Sequence, residues 1–412
     1  MSPAPGTLLV ISQVYPPDPA AVGQHVASAA EEMARRGWRV VVYCADRGYE
    51  DSTLKYPKTE IRNGVQVSRL PFSSFGKTSI ARRLLAQTLF MIQAVARSIF
   101  TNDVRLVLTS TSPPFAGFGG AVISWIRRAP FVWWIMDLNP DQMIAAGRIG
   151  QDSIAANVFR WLNRVAAHRA ESIVVLDRFM ERRVLAAMPM ARSLHIIPPW
   201  PHDDATTRAA AEPNSFRRAH GLERAFVVMY SGNHALQHPL TTLLEAAEAM
   251  EAHADLVFVF IGAGAGKAEV DKRIGEGRSN LRSFPFQPFE SVGDSLAAAD
   301  VHVVSMGNEV VGIVHPCKVY GAMAVGRPIL FMGPALSHAG EIVDAHQCGR
   351  TVQHGDVAST IAELESLIAM PRAQRERLGD NAVHAIATEF PRQRLRGMFC
   401  DCLEAVARRR SV

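Results

Sequence analysis

Cysteine is scarce. The five cysteines in 412 residues, Cys44, Cys317, Cys348, Cys400 and Cys402, are odd in number and share no metal-ligand spacing. That excludes a disulfide framework and a zinc knuckle, and it points to reduced thiols in a cytosolic setting. Cys400 and Cys402 stand close together, but positions i and i+2 of a helix point apart, so the pair reads as structural. Long apolar runs are missing too, since no stretch reaches the ~18 residues of a spanning helix. Residues 80–100, IARRLLAQTLFMIQAVARSIF, come nearest, with Arg82, Arg83 and Arg97 flanking an apolar middle. Such a stretch suits either an interfacial helix in peripheral contact with a membrane or a core helix packed on its own sheet. Residues 1–7 lead into a strand without a basic n-region, so no secretory signal is expected. HExxH, CxxC and GxSxG do not occur, which removes motif support for zinc hydrolysis and for a serine elbow. Gly262 to Lys267 (GAGAGK) imitates two phosphate loops and satisfies neither. A Walker loop needs one more residue before Gly-Lys, and the dinucleotide fingerprint needs its third glycine one position later. No Lys/Arg cluster with interleaved aromatics accompanies the net charge of +5, so nucleic acid is not an expected partner. Anionic substrates or an acidic membrane surface fit that small excess. With 48% hydrophobic and 20% charged residues there is no composition for a long disordered tail.

What is present is length for two cores and a regular alternation. Strand signals at 7–12, 39–44, 65–70, 105–110, 131–137, 172–176 and 195–197 are interleaved with helical patterns such as 24–36 and 115–128. After a polar, proline-containing stretch at 198–224, which includes Asp203-Asp204, strands resume at 226–230, 256–261, 281–284, 301–306, 328–331 and 350–352. Strands alternating with helices argue for an α/β protein of two doubly wound parallel sheets. The expected domains are 1–200 and 225–389, joined by a linker at 201–224 and facing each other across a cleft.

The chain is organised around residues 308–330, NEVVGIVHPCKVYGAMAVGRPIL. An apolar strand enters a loop, and a helix is expected to open at Pro316, a residue suited to the first helical position. Lys318 then falls in the first turn, where the helix dipole disfavours a cation unless an anion is bound there. The other reading is a solvated lysine on a surface helix. In parallel sheets, the loops after the strand carboxyl ends line the site. Here those loops hold Gly23, residues 110–114, Asp137, Gly232-Asn233, Gly262 and Gly264, and 285–288. Glycines there let a backbone approach a phosphate, though glycine is also ordinary at tight turns. Asp137 ends an apolar strand, where a carboxylate suits a base, a hydroxyl-binding group or a hydrogen-bond partner for the helix starting near Pro140.

Residues 310–330 resemble the signature of the GT-B glycosyltransferases of family 4, in which a proline loop and a helix precede an Ala-x-Gly-x-Pro turn, here Ala324 to Pro328. Tyr15-Pro16-Pro17, Ser112-Pro113-Pro114, Asp137 to Asp141, Tyr230 to Asn233, Phe260 to Gly264 and Ala298 to Val301 match in the same order, across nearly the whole chain. Pro-x-Lys with Ser-Pro-Pro upstream is similar to the branch with fucosyl- and N-acetylfucosaminyl-transferases of bacterial surface-polysaccharide assembly. The resemblance implies retaining, metal-independent transfer from a UDP- or GDP-linked sugar to a saccharide or lipid-linked acceptor. It further implies a cytoplasmic protein, in places peripheral on the inner face of the plasma membrane. The donor would sit on the second domain. Phe286, Gln287 and Pro288 would meet the base, with Gly232, Asn233, His238, Gly262, Gly264 and Glu309 also on the donor side. Gly312, Ile313, Val314, His315, Pro316, Lys318 and Val319 would hold ribose and diphosphate. The acceptor would meet Gly23, Gln24, Ser112 and Asp137, and a closing helix at 390–410 would return to the first domain.

Two departures stand out. The family's second carboxylate position is Gly321, with Glu309 the partner for the first, and its Arg and Lys pair falls at Asn233 and His238. Lys318, helix N-termini and His238 or His315 would then stabilise the leaving group. A nucleotide-sugar epimerase and a degenerate binding subunit are the alternatives that these residues leave open.

Overall fold

The computed structural model describes residues 5–48, 52–73, 80–201 and 214–409, and the chain forms two compact units. One comprises Met1–His202 with Gly312–Val314 and Arg392–Val412; the other comprises Asp203–Val311 and His315–Pro391.

The first unit runs β1 (Thr7–Ile11), α1 (Ala21–Arg35), β2 (Arg39–Ala45), β3 (Thr59–Arg62), β4 (Val65–Leu70), α2 (Ile80–Ile99), β5 (Val104–Thr109), α3 (Ala116–Arg127) and β6 (Phe131–Trp134). It continues with α4 (Asp141–Ala145), α5 (Ile154–Arg169), β7 (Ser172–Val175), α6 (Arg178–Ala187) and β8 (Leu194–Ile196). The strands order as β3-β4-β2-β1-β5-β6-β7-β8, all parallel except β3, an antiparallel edge on β4. β1, β6 and β7 are buried at every residue, because a parallel sheet covered on both faces has no solvent side. Asn63 and Gly64, at φ 47° and 82°, make the two-residue turn of the edge hairpin, as Asn-Gly does where both residues must be left-handed. β3 escapes a search for apolar runs because TEIR is largely exposed.

The second unit runs α7 (Ser215–His220), β9 (Phe226–Ser231), α8 (Thr241–Ala249), β10 (Leu256–Ile261), α9 (Lys267–Gly275), β11 (Leu281–Phe284), α10 (Val292–Ala297), β12 (Val301–Ser305), α11 (Lys318–Ala324) and β13 (Ile329–Met332). α12 (His338–Ala345), β14 (Gly349–Val352), α13 (Val357–Ala369) and α14 (Arg372–Thr388) complete it. Its sheet is wholly parallel, in the order β11-β10-β9-β12-β13-β14. Asp203-Asp204 and half of the expected linker lie outside the described residues. The described remainder is no bare connector: Asn214 caps α7, and Phe216 is buried with Val227, Val259 and Ile261.

A final helix, α15 (Arg392–Arg408), belongs to the first unit. Phe399 packs on Trp134 at 4.1 Å between ring centres, and Trp134 stacks on Trp200 at 5.6 Å. Around this apolar contact Arg36 pairs with Asp401 at 2.6 Å, and the Trp38 indole donates to Glu404 at 3.3 Å. All five cysteines are free, and burial pushes the Cys400 thiol up to about 12, which suits a packing role. Among the described residues no helix is long and apolar enough to cross a membrane.

Candidate functional site

In a doubly wound sheet, the loops diverge where successive connections leave in opposite directions, and ligands bind at the carboxyl ends there. In the second unit that point lies between β9 and β12. Three glycines converge on it. Gly232, Gly262 and Gly264 sit at φ 127–140°, a region that side chains other than hydrogen rarely adopt. A Cβ on Gly232 would stand 2.7 Å from Lys318 Cε, and one on Gly264 would stand 2.5 Å from Asn233 Oδ1. A Cβ on Gly262 would run into the Gly232 carbonyl oxygen and press on the Phe286 ring at 3.3 Å. The site therefore gathers Gly232, Asn233, Gly262, Gly264, Phe286 and Lys318 on one unit. Gly262→Ala is expected to destabilise the fold by about 2–5 kcal/mol, from backbone strain plus overpacking. Chemical denaturation checks it, and an unchanged midpoint would show that the loops move aside freely.

Lys318 is partly buried. Its ammonium lies 5.3 Å from the centre of the Tyr230 ring, and no carboxylate among the described residues is within ion-pair reach. Burial pushes it down to about 8. The solvated-lysine reading therefore fails. The helix start differs as well: Cys317 is the N-cap, Pro316 precedes it, and α11 begins at Lys318. His238 stays neutral because burial and the Lys318 charge both hold its imidazole well below the usual range. His234, fully buried, is pushed down to about 4 by burial and by Lys267 and Lys318. The Lys267 ammonium is spent on backbone, donating to Gly262 O at 2.6 Å and Phe284 O at 2.8 Å. It staples two strand ends together, which is why GAGAGK is no phosphate loop of the Walker kind.

The remaining candidates separate. Gly312, Ile313 and Val314 are compact with the first unit rather than the second, where the Ile313 carbonyl accepts from Leu138 N at 2.8 Å. His315 is turned inward, its Nε2 3.0 Å from the Tyr320 hydroxyl, which also lies 3.0 Å from His338 Nε2. Val319 is core. Pro288 and Glu309 are exposed, and Gln287 donates to Pro285 O at 3.0 Å.

In the first unit the corresponding point lies between β1 and β5. Gly23 opens α1 against the Tyr15 backbone, where a Cβ would come within 3.1 Å. Gln24 is occupied, its amide donating to Asp18 O at 2.9 Å. The Ser112 carbonyl accepts from Gln13 N at 2.8 Å, and the Asp137 amide donates to Thr111 Oγ1 at 3.2 Å, which places Asp137 beside Ser112. β6 ends at Trp134, three residues earlier than expected: Ile135 N–H still donates to Val174 O as a ladder bond, but the Asp137 and Leu138 amides leave the sheet for Thr111 Oγ1 and Ile313 O. The Asp137 carboxylate does not cap α4, whose N-cap is Pro140 without a side-chain bond. Burial raises it to about 6. His234 was not singled out from the sequence, and Tyr230, Lys267 and Thr111 stood there only as members of motifs without a role at the site, since what marks them is burial or a partner distant along the chain.

Two doubly wound sheets with glycine-bearing loops at their switch points define a two-unit α/β protein built for ligands. A model described as the Glycosyl transferase 4-like domain matches residues 20–200, and one described as Glycosyl transferases group 1 matches residues 225–370. The chain accordingly belongs to the GT-B glycosyltransferases. WcaI of Escherichia coli K12, which its name assigns to colanic acid biosynthesis as a glycosyl transferase, is 22% identical over 382 residues, covering 89% of this chain and 93% of WcaI. Among solved structures, sucrose-phosphate synthase from Thermosynechococcus elongatus has the same fold, with a TM-score of 0.76 at 15% identity over 97% of this chain and 99% of that one. HepE of Anabaena, solved with UDP and glucose, gives 0.74 at 15% identity over 97% of this chain and 100% of its own.

Proposed function

We propose that the chain is a retaining, metal-independent transferase of bacterial surface-polysaccharide or glycolipid synthesis. It takes a sugar from a nucleotide-sugar donor on the second unit and passes it to a saccharide or lipid-linked acceptor on the first. The observation that carries this reading is Lys318, a partly buried ammonium beside three glycine turns with no carboxylate partner among the described residues. An unpaired, desolvated cation is costly unless an anion joins it, and a diphosphate supplies that charge. Gly232, Gly262 and Gly264 bring backbone to the phosphates, and the half-exposed Phe286 offers a face for the base. His238, neutral beside Lys318, donates or accepts a hydrogen bond without adding charge. Asp137 orients or deprotonates the acceptor hydroxyl. The colanic acid pathway named for WcaI and the UDP held by HepE favour a UDP-linked donor and a growing polysaccharide. The fucosyl and N-acetylfucosaminyl branch supplies the first sugars to try.

A thermal-shift panel of UDP- and GDP-sugars, followed by nucleotide release with and without a lipid-linked acceptor, tests it. At a hundredfold excess over Kd, the donor should raise the midpoint by roughly 5 °C or more, and nucleotide release should depend on acceptor. Donor consumption without acceptor, or binding without turnover, would overturn the proposal.

A further inference from the structure

α11 is only seven residues long, and its N-cap, Cys317, makes no side-chain bond. A helix so short does not hold its own start in water, because nucleation costs more than one turn returns. Yet its first turn is the one that carries Lys318. The backbone bonds leading into it are Cys317 N to His315 O at 2.9 Å, Val319 N to Pro316 O at 3.1 Å and Tyr320 N to Cys317 O at 3.2 Å. Each spans fewer residues than an α-helical bond.

Side chains supply the rest. The His315 and Tyr320 rings lie nearly parallel, 10° between planes and 5.7 Å between centres. The Tyr320 hydroxyl is 3.0 Å from His315 Nε2 and 3.0 Å from Nε2 of His338, the first residue of α12. A phenol has one hydrogen and two lone pairs, so it donates to one imidazole and accepts from the other. One buried hydroxyl thus joins the loop after β12 to the loop after β13, two strands that pair directly. Phe390 meets both rings edge to face, 5.3 Å from the centre of Tyr320 and 6.2 Å from that of His338. The chemistry of this tie matters for the ammonium beside it. An acid in the same place would pin the segment as firmly, but it would also neutralise Lys318. Imidazole and phenol hold the turn without adding negative charge.

We propose that Tyr320 is a positioning residue: by sharing its hydroxyl between His315 and His338 it folds residues 315–317 against α11 and keeps the Lys318 ammonium 5.3 Å from the Tyr230 ring centre, where it meets a diphosphate. This role rests on the reading of Lys318 given above, and it moves His315 from donor contact to support.

The test is titration of UDP and of GDP, the leaving groups themselves, into the full chain and into a double-mutant cycle. Lys318→Ala should weaken the tighter of the two by about tenfold or more, the worth of one charge-assisted bond. Tyr320→Phe, which keeps the ring, should weaken it by about fivefold or more, because a misplaced ammonium forfeits most of that bond. In a Lys318→Ala background Tyr320→Phe should cost less than about twofold, since no ammonium is left to place. His315→Gln, whose amide nitrogen stands in for Nε2, should bind at least about threefold tighter than His315→Phe. Circular dichroism beside each titration shows that the variants fold, and if Tyr320→Phe does not, the His315 pair decides alone. Equal loss in both backgrounds marks a general defect in the fold and would overturn the proposal. So would full affinity in Tyr320→Phe, or His315→Phe binding as well as His315→Gln. A different failure is that of the donor reading itself: Lys318→Ala binding as tightly as the parent, or neither nucleotide binding the parent, would sink it, and Tyr320 would lose its role with it.

Discussion

Lys318→Ala lowers kcat by on the order of 10²-fold or more, the usual cost of losing a preorganised donor to developing negative charge. The ammonium lies beside Gly232 and over Tyr230 with no carboxylate partner among the described residues, so removing it strands no anion. Stability should therefore hold or rise slightly, because a desolvated charge has gone. That combination separates a leaving-group role from a structural one, in which activity would fall only as far as folding did. Single-turnover kinetics alongside a urea melt reads both quantities. Turnover within about threefold of the parent would remove Lys318 from the mechanism, since it lies far below the expected loss.

Asp137→Asn should lose about 10²- to 10⁴-fold, the range for a missing general base. Its pH dependence makes the assignment sharper. Burial raises the Asp137 carboxyl to about 6, so the base form is lost as pH falls through that value. Burial pushes the Lys318 ammonium down to about 8, so its charge is lost as pH rises through that value. The profile of kcat/KM, which reports the free enzyme, should be a bell with limbs near those two values. Asp137→Asn should abolish the acid limb, and Lys318→Arg should move the alkaline limb out of range. Stability runs the other way for Asp137. A carboxyl that holds its proton more tightly when folded stabilises the native state at low pH, and that contribution is lost as pH rises from about 4 towards 6. Asp137→Asn should thus melt higher than the parent above pH 6, on the order of 1–2 kcal/mol after allowance for partial exposure. An acid limb that survives in the variant would assign the base elsewhere.

Much of the architecture is legible along the chain, because strands covered on both faces must be apolar at nearly every position. The segment at 256–261, LVFVFI, coincides with β10 to the residue for that reason, while the half-polar segments at 65–70 and 281–284 coincide with β4 and β11 through their bounding turns. Asn63-Gly64 marks its turn for the same reason, since few pairs accept two left-handed residues in succession. Legibility fades where a boundary depends on a neighbour. Ile135 and Met136 continue the apolar run of β6, yet the Asp137 and Leu138 amides leave the ladder for Thr111 Oγ1 and Ile313 O, and the strand is over. Pro316 looks like a helix start, yet α11 opens two residues later, behind Cys317.

The alternation of strand and helix, the two-unit plan and the glycines at the strand ends follow from composition and spacing, which are local properties of the chain. Packing settled the rest: that Lys267 binds carbonyls, that His315 turns to Tyr320, that Lys318 rests on Tyr230, and that Gly312–Val314 joins the first unit. Burial and partner distance depend on residues far apart in sequence, and it is they that decide which charge is neutralised by the protein and which is left for a ligand.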